Sequence, residues 1–309
     1  MSVHDVTVIV VTYNTREMTQ ACLTSLREGA QELSIEIIVI DNASEDGSAD
    51  MIRKDFPGAA LISSEQNHGF AGANNLAARE ARGKYVLLLN PDTLVLNSAI
   101  DRLVAFAEAH PEASIFGGRT FFGDGTLNPA SCFRAPSLWG LFCRAVALDV
   151  TFPDSVLFNP DCYGGWARDT VREVDIVSGC FLLIRSGLWR ELGGFDTDYF
   201  MYGEDWDLCM RARALGHKCL ICPEAEIVHY GGASEPLQDG RIVRLLQTKV
   251  LLFRKRWGKL RRMAGVALLS LWVIVRLVGY GASCLILGVR CEEYGCWKRI
   301  WAARSQWRA

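Results

Sequence analysis

Several things are scarce in this chain of 309 residues, and each scarcity closes a possibility. Acids nearly vanish from its last part: residues 241–309 hold 15 Lys or Arg against two Glu, net +13, whereas residues 1–240 hold 18 against 33, net −15. The formal net charge of −2 therefore conceals an acidic body and a basic, Trp-bearing tail whose partner should be anionic. No second ligand pair stands at zinc-finger spacing from Cys219 and Cys222, so that C-x-x-C reads as structural thiols on a strand. No secretory leader is expected either, because Met1 to Asp5 runs straight into the first apolar stretch, and the 11 cysteines are odd in number and scattered. Both features point to a reducing cytoplasm. Internal repeats and low-complexity tracts are absent and half the residues are hydrophobic, which excludes a disordered or fibrous chain. The length suits one generous core, or one core plus an appendage.

Two hydrophobic periods alternate through the first hundred residues. Residues 6–11 and 35–40 are continuous apolar runs, with helical spacing over 16–28 between them, which makes a βαβ beginning. A helix over 48–56, a strand over 61–63, an Ala-rich helix over 69–82, a strand over 85–89 and a helix over 97–110 that stops before Pro111 continue the alternation. Runs apolar throughout imply strands covered on both faces. The expected fold is therefore α/β, a Rossmann-like, mostly parallel sheet flanked by helices. Residues 120–172 lack clear periodicity and read as a lid or acceptor-facing insertion. Regular structure returns over 174–185, followed by a Gly193-Gly194 turn, an acidic segment at 203–207, a helix through Leu215 and a strand pair ending at His229.

In such sheets ligands sit beyond the carboxyl ends of the strands. Those ends read Thr12-Tyr13-Asn14, Asp41-Asn42-Ala43-Ser44 and Asn90-Pro91-Asp92-Thr93. Asn, Asp and Ser favour turns in any protein, but three such ends along one sheet edge mark a site. Breaking a nucleoside-diphosphate bond needs a polar cleft for the nucleoside, a divalent cation for the departing pyrophosphate and a base for the attacking hydroxyl. Asp41 can accept from a base or ribose, and Asp92 offers a hard oxygen to Mg²⁺ or Mn²⁺, with His229 to complete the protein ligands. Asp205 is the candidate base. The bland readings stay beside these: His229 as a strand end, Asp205 as a helix cap, and Gly69 and Gly72 as packing glycines.

Six stretches then make a pattern: Val10-Val11-Thr12-Tyr13-Asn14, Val39-Ile40-Asp41-Asn42-Ala43-Ser44, Asn67-His68-Gly69-Phe70-Ala71-Gly72-Ala73-Asn74-Asn75, Leu88-Leu89-Asn90-Pro91-Asp92, Gly193-Gly194-Phe195-Asp196 and Met201-Tyr202-Gly203-Glu204-Asp205-Trp206-Asp207-Leu208. In order and spacing the chain resembles family 2 glycosyltransferases of the GT-A fold, and most the bacterial rhamnosyltransferase branch, over about residues 5–232. The resemblance implies that Thr12, Tyr13, Asn14, Asp41, Asn67, Asn74, Asn90 and Asp92 surround a nucleotide sugar. It implies that Asp92 is the last acid of a D-x-D metal motif joined by His229, and that the Glu204 and Asp205 pair carries the catalytic base. Asn90 replaces the first acid of D-x-D, a departure that removes one carboxylate from the metal shell. Phe253 stands where processive relatives carry the Gln of Q-x-x-R-W before Arg256-Trp257, which favours single-sugar addition. The branch implies a dTDP-rhamnose donor, with UDP-linked hexoses or galactofuranose as rivals, and a glycan or polyprenyl-diphosphate-linked acceptor. A nucleotidyltransferase would show a Gly-rich, basic loop after the first strand, where this chain has Thr12-Tyr13-Asn14-Thr15. A catalytically idle scaffold would tolerate loss of Asp41, Asp92, Asp205 and His229, all present here.

The expected division is a catalytic domain over 1–240 and a helical membrane-association region over 241–309. Residues 241–262 interleave apolar positions with six cations after Phe253, suited to an anionic lipid surface. Residues 263–289 form an almost wholly apolar run, long enough for a bilayer but interrupted by Arg276, with Gly279 and Gly281 where a hairpin could turn. Trp297, Trp301 and Trp307 with Lys298, Arg299, Arg304 and Arg308 follow. Membrane lipids are the expected partner and nucleic acid is not. The expected arrangement is a monotopic or re-entrant anchor on the cytoplasmic face of the plasma membrane, with a single span as runner-up. A homo-oligomer interface on the tail stays open.

Overall fold

A computed structural model of the protein describes residues 3–28, 32–231 and 238–308. Met1 and Ser2 at the leader position, and residue 232 at the far edge of the resemblance, lie outside them. The chain divides into two compact units, residues 1–133 with 167–234, and residues 134–166 with 235–309.

The first unit opens β1 (His4–Thr12), α1 (Arg16–Glu28), β2 (Ile35–Asn42), α2 (Ser48–Asp55), β3 (Ala60–Ser64), α3 (Gly69–Ala78), β4 (Gly83–Leu89), β5 (Thr93–Val95), α4 (Ala99–Ala109) and β6 (Ala113–Phe121). Sequence explains each element. Val6 to Val11 are buried without interruption, whereas α1 buries Thr19, Cys22, Leu23 and Leu26, and α4 buries Ile100, Leu103, Val104 and Ala107. Those last two sets follow the three-and-four spacing of one helix face. After β7 (Cys132–Phe133) the chain passes to the second unit for α5 (Leu138–Ala145) and α6 (Leu148–Thr151). It returns with β8 (Arg172–Val174), β9 (Ile176–Val177), β10 (Phe181–Arg185), α7 (Ser186–Leu192), α8 (Glu204–Ala214) and β11 (Lys218–His229).

One sheet runs β3-β2-β1-β4-β10-β6-β11-β5, with β8 beside β11. Its β3-β2-β1-β4 half is parallel, as the apolar runs imply. Beyond β4 it is mixed, because β10 pairs antiparallel with both β4 and β6. Phe181 to Ile184 are as buried as any parallel strand, so an apolar run covered on both faces does not report direction. The expected strand pair before His229 is instead one strand, β11, whose register against β6 shifts between Cys222 and Glu226.

The second unit holds α9 (Gln238–Arg256), α10 (Lys259–Leu287), α11 (Cys291–Ala302) and α12 (Arg304–Arg308) beside α5 and α6. Leu246, Val250, Phe253, Trp257, Leu269, Val273, Trp297, Ile300 and Trp307 form its core. It therefore takes in residues 134–166 as well as the tail, and the aperiodic 120–172 stretch is split between units. Two expectations are corrected here. Gly279 and Gly281 do not turn a hairpin: α10 continues through both, and the reversal comes after Gly288, whose φ of 68° ends the helix. That reversal brings Cys284 to Cys291, and they form a disulfide, so the reading of all cysteines as reduced thiols holds only for the nine that remain free.

Candidate functional site

Register sets the stage. Thr12 pairs with Asp41 and Val10 with Leu89, so β1, β2 and β4 end level and deliver their three polar loops to one edge. The first two loops are tied together. Asn14 adopts φ 52° and Ala43 φ 72°, left-handed values that non-glycine residues adopt at a cost. In return Asn14 Oδ1 accepts Glu45 N–H at 2.8 Å, and the Asn14 N–H donates to Ser44 Oγ at 3.0 Å. Asp41 is buried, and its Oδ1 accepts the Ser44 N–H at 3.1 Å, which aims the carboxyl group into this loop cluster. Thr12 supports the loop from below: its hydroxyl is fully buried between Thr15 (3.1 Å) and Thr19 (2.8 Å). Tyr13 is half-buried beside it.

The residues of α3 and those just before it divide in the same way. Asn67 is exposed, and its Oδ1 accepts from Asn42 Nδ2 and from Gly69 N–H, both at 2.9 Å. Asn74 is buried and donates to Phe70 O at 2.9 Å, a bond within the helix. Gly69, at φ 69°, lies so near Phe200 O that an added Cβ would stand 2.2 Å from it, which explains glycine there.

Asp92 and His229 are brought together by β5, a three-residue strand that pairs antiparallel with the end of β11, Thr93 opposite His229. Asp92 Oδ1 lies 3.3 Å from His229 Nε2, and Asn90 Nδ2 lies 3.3 Å from the same nitrogen. Burial pulls the imidazole pKa down, yet Cys180 and the Asp92 carboxylate outweigh it and push it up to about 10. Asn90 Oδ1, beside this pair, is buried without a hydrogen-bond partner.

A divalent cation fits this pair. Neighbouring ligands of an octahedral ion with bonds of about 2.1 Å stand about 3 Å apart, close to the Asp92–His229 spacing. Coordination would replace the imidazole proton. Among the described residues no three His, Cys, Asp or Glu gather as a ligand set, so further positions would fall to diphosphate oxygens and water, the usual habit of Mg²⁺.

The acid pair opens α8 after left-handed Tyr202 and Gly203. Asp205 Oδ2 accepts the Gly179 N–H at 2.9 Å and Oδ1 accepts the Trp206 N–H at 2.8 Å. Burial nevertheless raises its pKa above the ordinary Asp range. Glu204 is buried with Oε2 unpartnered, and burial together with the Asp205 charge raises it well above the ordinary Glu range. The two acids are therefore unequal: burial and the neighbouring Asp205 both work against ionisation of Glu204, whereas two backbone N–H donors offset burial at Asp205. Asp207, in the same acidic run, is structural. It binds Arg211 at 2.6 Å, and Arg211 donates to Leu192 O and Gly194 O, both at 2.7 Å, locking the Gly193-Gly194 turn.

Sequence reasoning missed Gly179 and Cys180. The Gly179 N–H holds Asp205, Cys180 O accepts the Asn90 N–H at 3.1 Å, and the Cys180 side chain lies by His229. Two consecutive residues thus join Asp205 to the Asp92–His229 pair. The available signal was the Ser178-Gly179 break inside an otherwise apolar stretch.

Residues 7–190 match the model of the glycosyl transferase family 2. The N-acetylglucosaminyl-diphospho-decaprenol L-rhamnosyltransferase of Mycobacterium tuberculosis is 28% identical over 236 residues, 72% of this chain and 75% of that protein. Rhamnosyltransferase WbbL of Escherichia coli is 28% identical over 235 residues, covering 72% and 82%. Among solved structures, the mannosyltransferase PcManGT of Pyrobaculum calidifontis, in complex with GDP-Man and Mn²⁺, aligns with a TM-score of 0.58 at 21% identity, covering 99% of this chain and 85% of that one.

Proposed function

The chain belongs to glycosyl transferase family 2, and from that premise we propose that it moves a single sugar, with inversion, from a nucleoside diphosphate to a membrane-borne acceptor. It is a glycosyltransferase of glycan assembly that uses a nucleotide sugar. The proposal adds the donor, the acceptor, the stereochemistry and the metal. Rhamnose from dTDP-rhamnose is the donor best supported, since two relatives carry rhamnosyl transfer in their names, and a polyprenyl-diphosphate-linked saccharide is the acceptor one of those names supplies.

The observation that carries the mechanism is the bridge at Gly179-Cys180, which sets an ionisable Asp205 beside the Asp92–His229 pair. Asp41 and the Asn14 loop would orient the nucleoside. Asp205 takes the acceptor O–H proton, the freed oxygen bonds to the anomeric carbon, and the carbon–oxygen bond to the diphosphate breaks on the opposite face. Bound through Asp92 and His229, Mg²⁺ or Mn²⁺ would neutralise charge on the leaving diphosphate. Asn90 in place of an acid lowers the negative charge of that shell. Incubating the purified chain with dTDP-rhamnose, UDP-glucose, UDP-galactofuranose and GDP-mannose, with and without EDTA, tests the reading. Turnover of dTDP-rhamnose, abolished by EDTA and restored by Mn²⁺, is expected; full turnover in EDTA refutes the metal, and turnover of another donor alone refutes rhamnose.

We further propose that the second unit attaches the enzyme to the cytoplasmic face of the membrane as a monotopic anchor. Exposed Leu285, Ile286 and Leu287 at the end of α10 support it. A single span is the second reading. The 29 residues of α10 reach about 43 Å against a hydrocarbon core of about 30 Å, and a Cys284–Cys291 bond suits an oxidising far side. Maleimide labelling of sealed, right-side-out, reduced vesicles separates them: an impermeant reagent reaches Cys284 from outside only if α10 crosses.

A further inference from the structure

Helices α9, α10 and α12 enclose an open groove of about 840 Å³. Its cations are Arg254 of α9, Arg262 of α10 and Arg308 of α12, and none of the described residues lining it is acidic. The wall between them is apolar, chiefly Val266, Leu271 and Ile274. Helix period produces this layout, since Arg262, Val266, Ser270 and Ile274 follow one another at four-residue steps along one stripe. Arg254 and Arg262 each stand four residues from Gly258, where α9 gives way to α10, so both cations lie at that end of the groove. Arg308 lies farther in. Its Nε donates to Ser270 Oγ at 3.0 Å, at a point about 12 Å beyond Arg262 along the helix. Its guanidinium also covers the Trp301 and Trp307 rings at 4.8 and 5.4 Å, which fixes its direction. Past Ser270 the apolar stripe continues through Ile274 and Val278, both exposed.

The groove is polarised, with two forked donors at its mouth, a third part-way in, and an apolar wall leading away. We propose that it binds one anionic glycerophospholipid, with the phosphate on Arg254 and Arg262, the ester carbonyls on Arg308, and the acyl chains along Leu271 and Ile274. Guanidinium forks match phosphate oxygens in pairs, which ammonium groups do not. Charge agrees: residues 134–166 and 235–309 hold 17 Lys or Arg against seven Asp or Glu, net +10. The inference rests on the membrane attachment proposed above and adds to it a headgroup site of one-to-one stoichiometry.

The test uses the full chain in detergent with added phosphatidylglycerol, read by native mass spectrometry, and flotation on vesicles of phosphatidylcholine with or without phosphatidylglycerol. Three variants are compared: Arg254→Ala with Arg262→Ala and Arg308→Ala; Ala267→Phe, which fills the exposed groove wall without changing charge; and a charge-matched control, Arg241→Ala with Lys259→Ala and Lys298→Ala, all exposed and outside the groove. The native chain and the control should retain one phospholipid. The two groove variants should lose it by about tenfold or more, while flotation falls alike in both triple variants, because each lost surface cation weakens attraction to the anionic vesicle wherever it lies. Equal lipid retention in all variants overturns the groove yet leaves membrane attachment standing. Absence of flotation on any vesicle removes both. Displacement of the lipid by inorganic phosphate would mean that the groove takes a soluble phosphate instead.

Discussion

Two buried glutamates of the first unit behave in opposite ways. Glu36, at the amino end of β2, accepts from Thr7 Oγ (2.7 Å), the Arg82 N–H and Nε (both 2.8 Å), and pairs with the Arg82 guanidinium at 2.8 Å. Burial alone would raise its pKa, but these donors outweigh burial and lower it. Glu204, beyond the carboxyl ends of the strands, has an unpartnered Oε2 and a pKa raised by burial and by Asp205. At one end of the sheet every oxygen of a buried acid is answered and the result is a tie between β1, β2 and the start of β4. At the other end polar atoms are left unanswered, the condition under which a ligand can be bound or a proton moved.

Breaking the unsatisfied end should remove activity and spare stability. The largest effect is expected for Asp205→Asn, which keeps the side chain's size and, through its single amide oxygen, one of the two backbone hydrogen bonds, and loses the proton acceptor; turnover should fall about a hundredfold or more with donor affinity retained. Calorimetric donor binding beside steady-state rates checks this. Asp92→Ala should raise the metal concentration for half-maximal rate by about ten- to a hundredfold, and His229→Ala by less, in a Mn²⁺ titration. A rate independent of added metal in both variants would take these residues out of the cation site.

Breaking the satisfied end should do the reverse. Glu36→Gln loses a charged acceptor, and because Arg82 is largely exposed the expected cost is about 2 kcal/mol, seen as a lower midpoint of urea unfolding with unchanged turnover per folded molecule. Since the folded pKa of Glu36 is depressed, its contribution is present above the unfolded pKa and disappears as pH falls through the folded value. The stability gap between native and Glu36→Gln proteins should therefore close in acid. Smallest of all should be Glu204→Gln. If Glu204 is neutral, an amide changes little, turnover should stay within about threefold, and the acid limb of the rate profile, set by Asp205, should not move. A large shift of that limb would show Glu204 to be charged.

Much of this arrangement was legible in the sequence because it is local. Asn14, Asp41, Asn90 and Asp92 follow apolar runs directly, and Glu204-Asp205 heads a helix whose start is marked by Gly203. What escaped depends on pairing between distant segments. Thr93 opposite His229 places the histidine, and Gly179-Cys180 reaches the site only because β10 inserts antiparallel between β4 and β6. Direction leaves no trace in a strand buried on both faces. Likewise Gly279 and Gly281 looked like a turn, but glycine permits a reversal without requiring one, and the surrounding apolar residues kept α10 intact.

Stereochemistry tests the central account most directly, because a base at Asp205 and no enzyme-bound sugar allow only one displacement at the anomeric carbon. Proton NMR of the product formed from dTDP-rhamnose should show the anomeric configuration opposite to that of the donor. Retained configuration would contradict the account, since a second displacement would then be required.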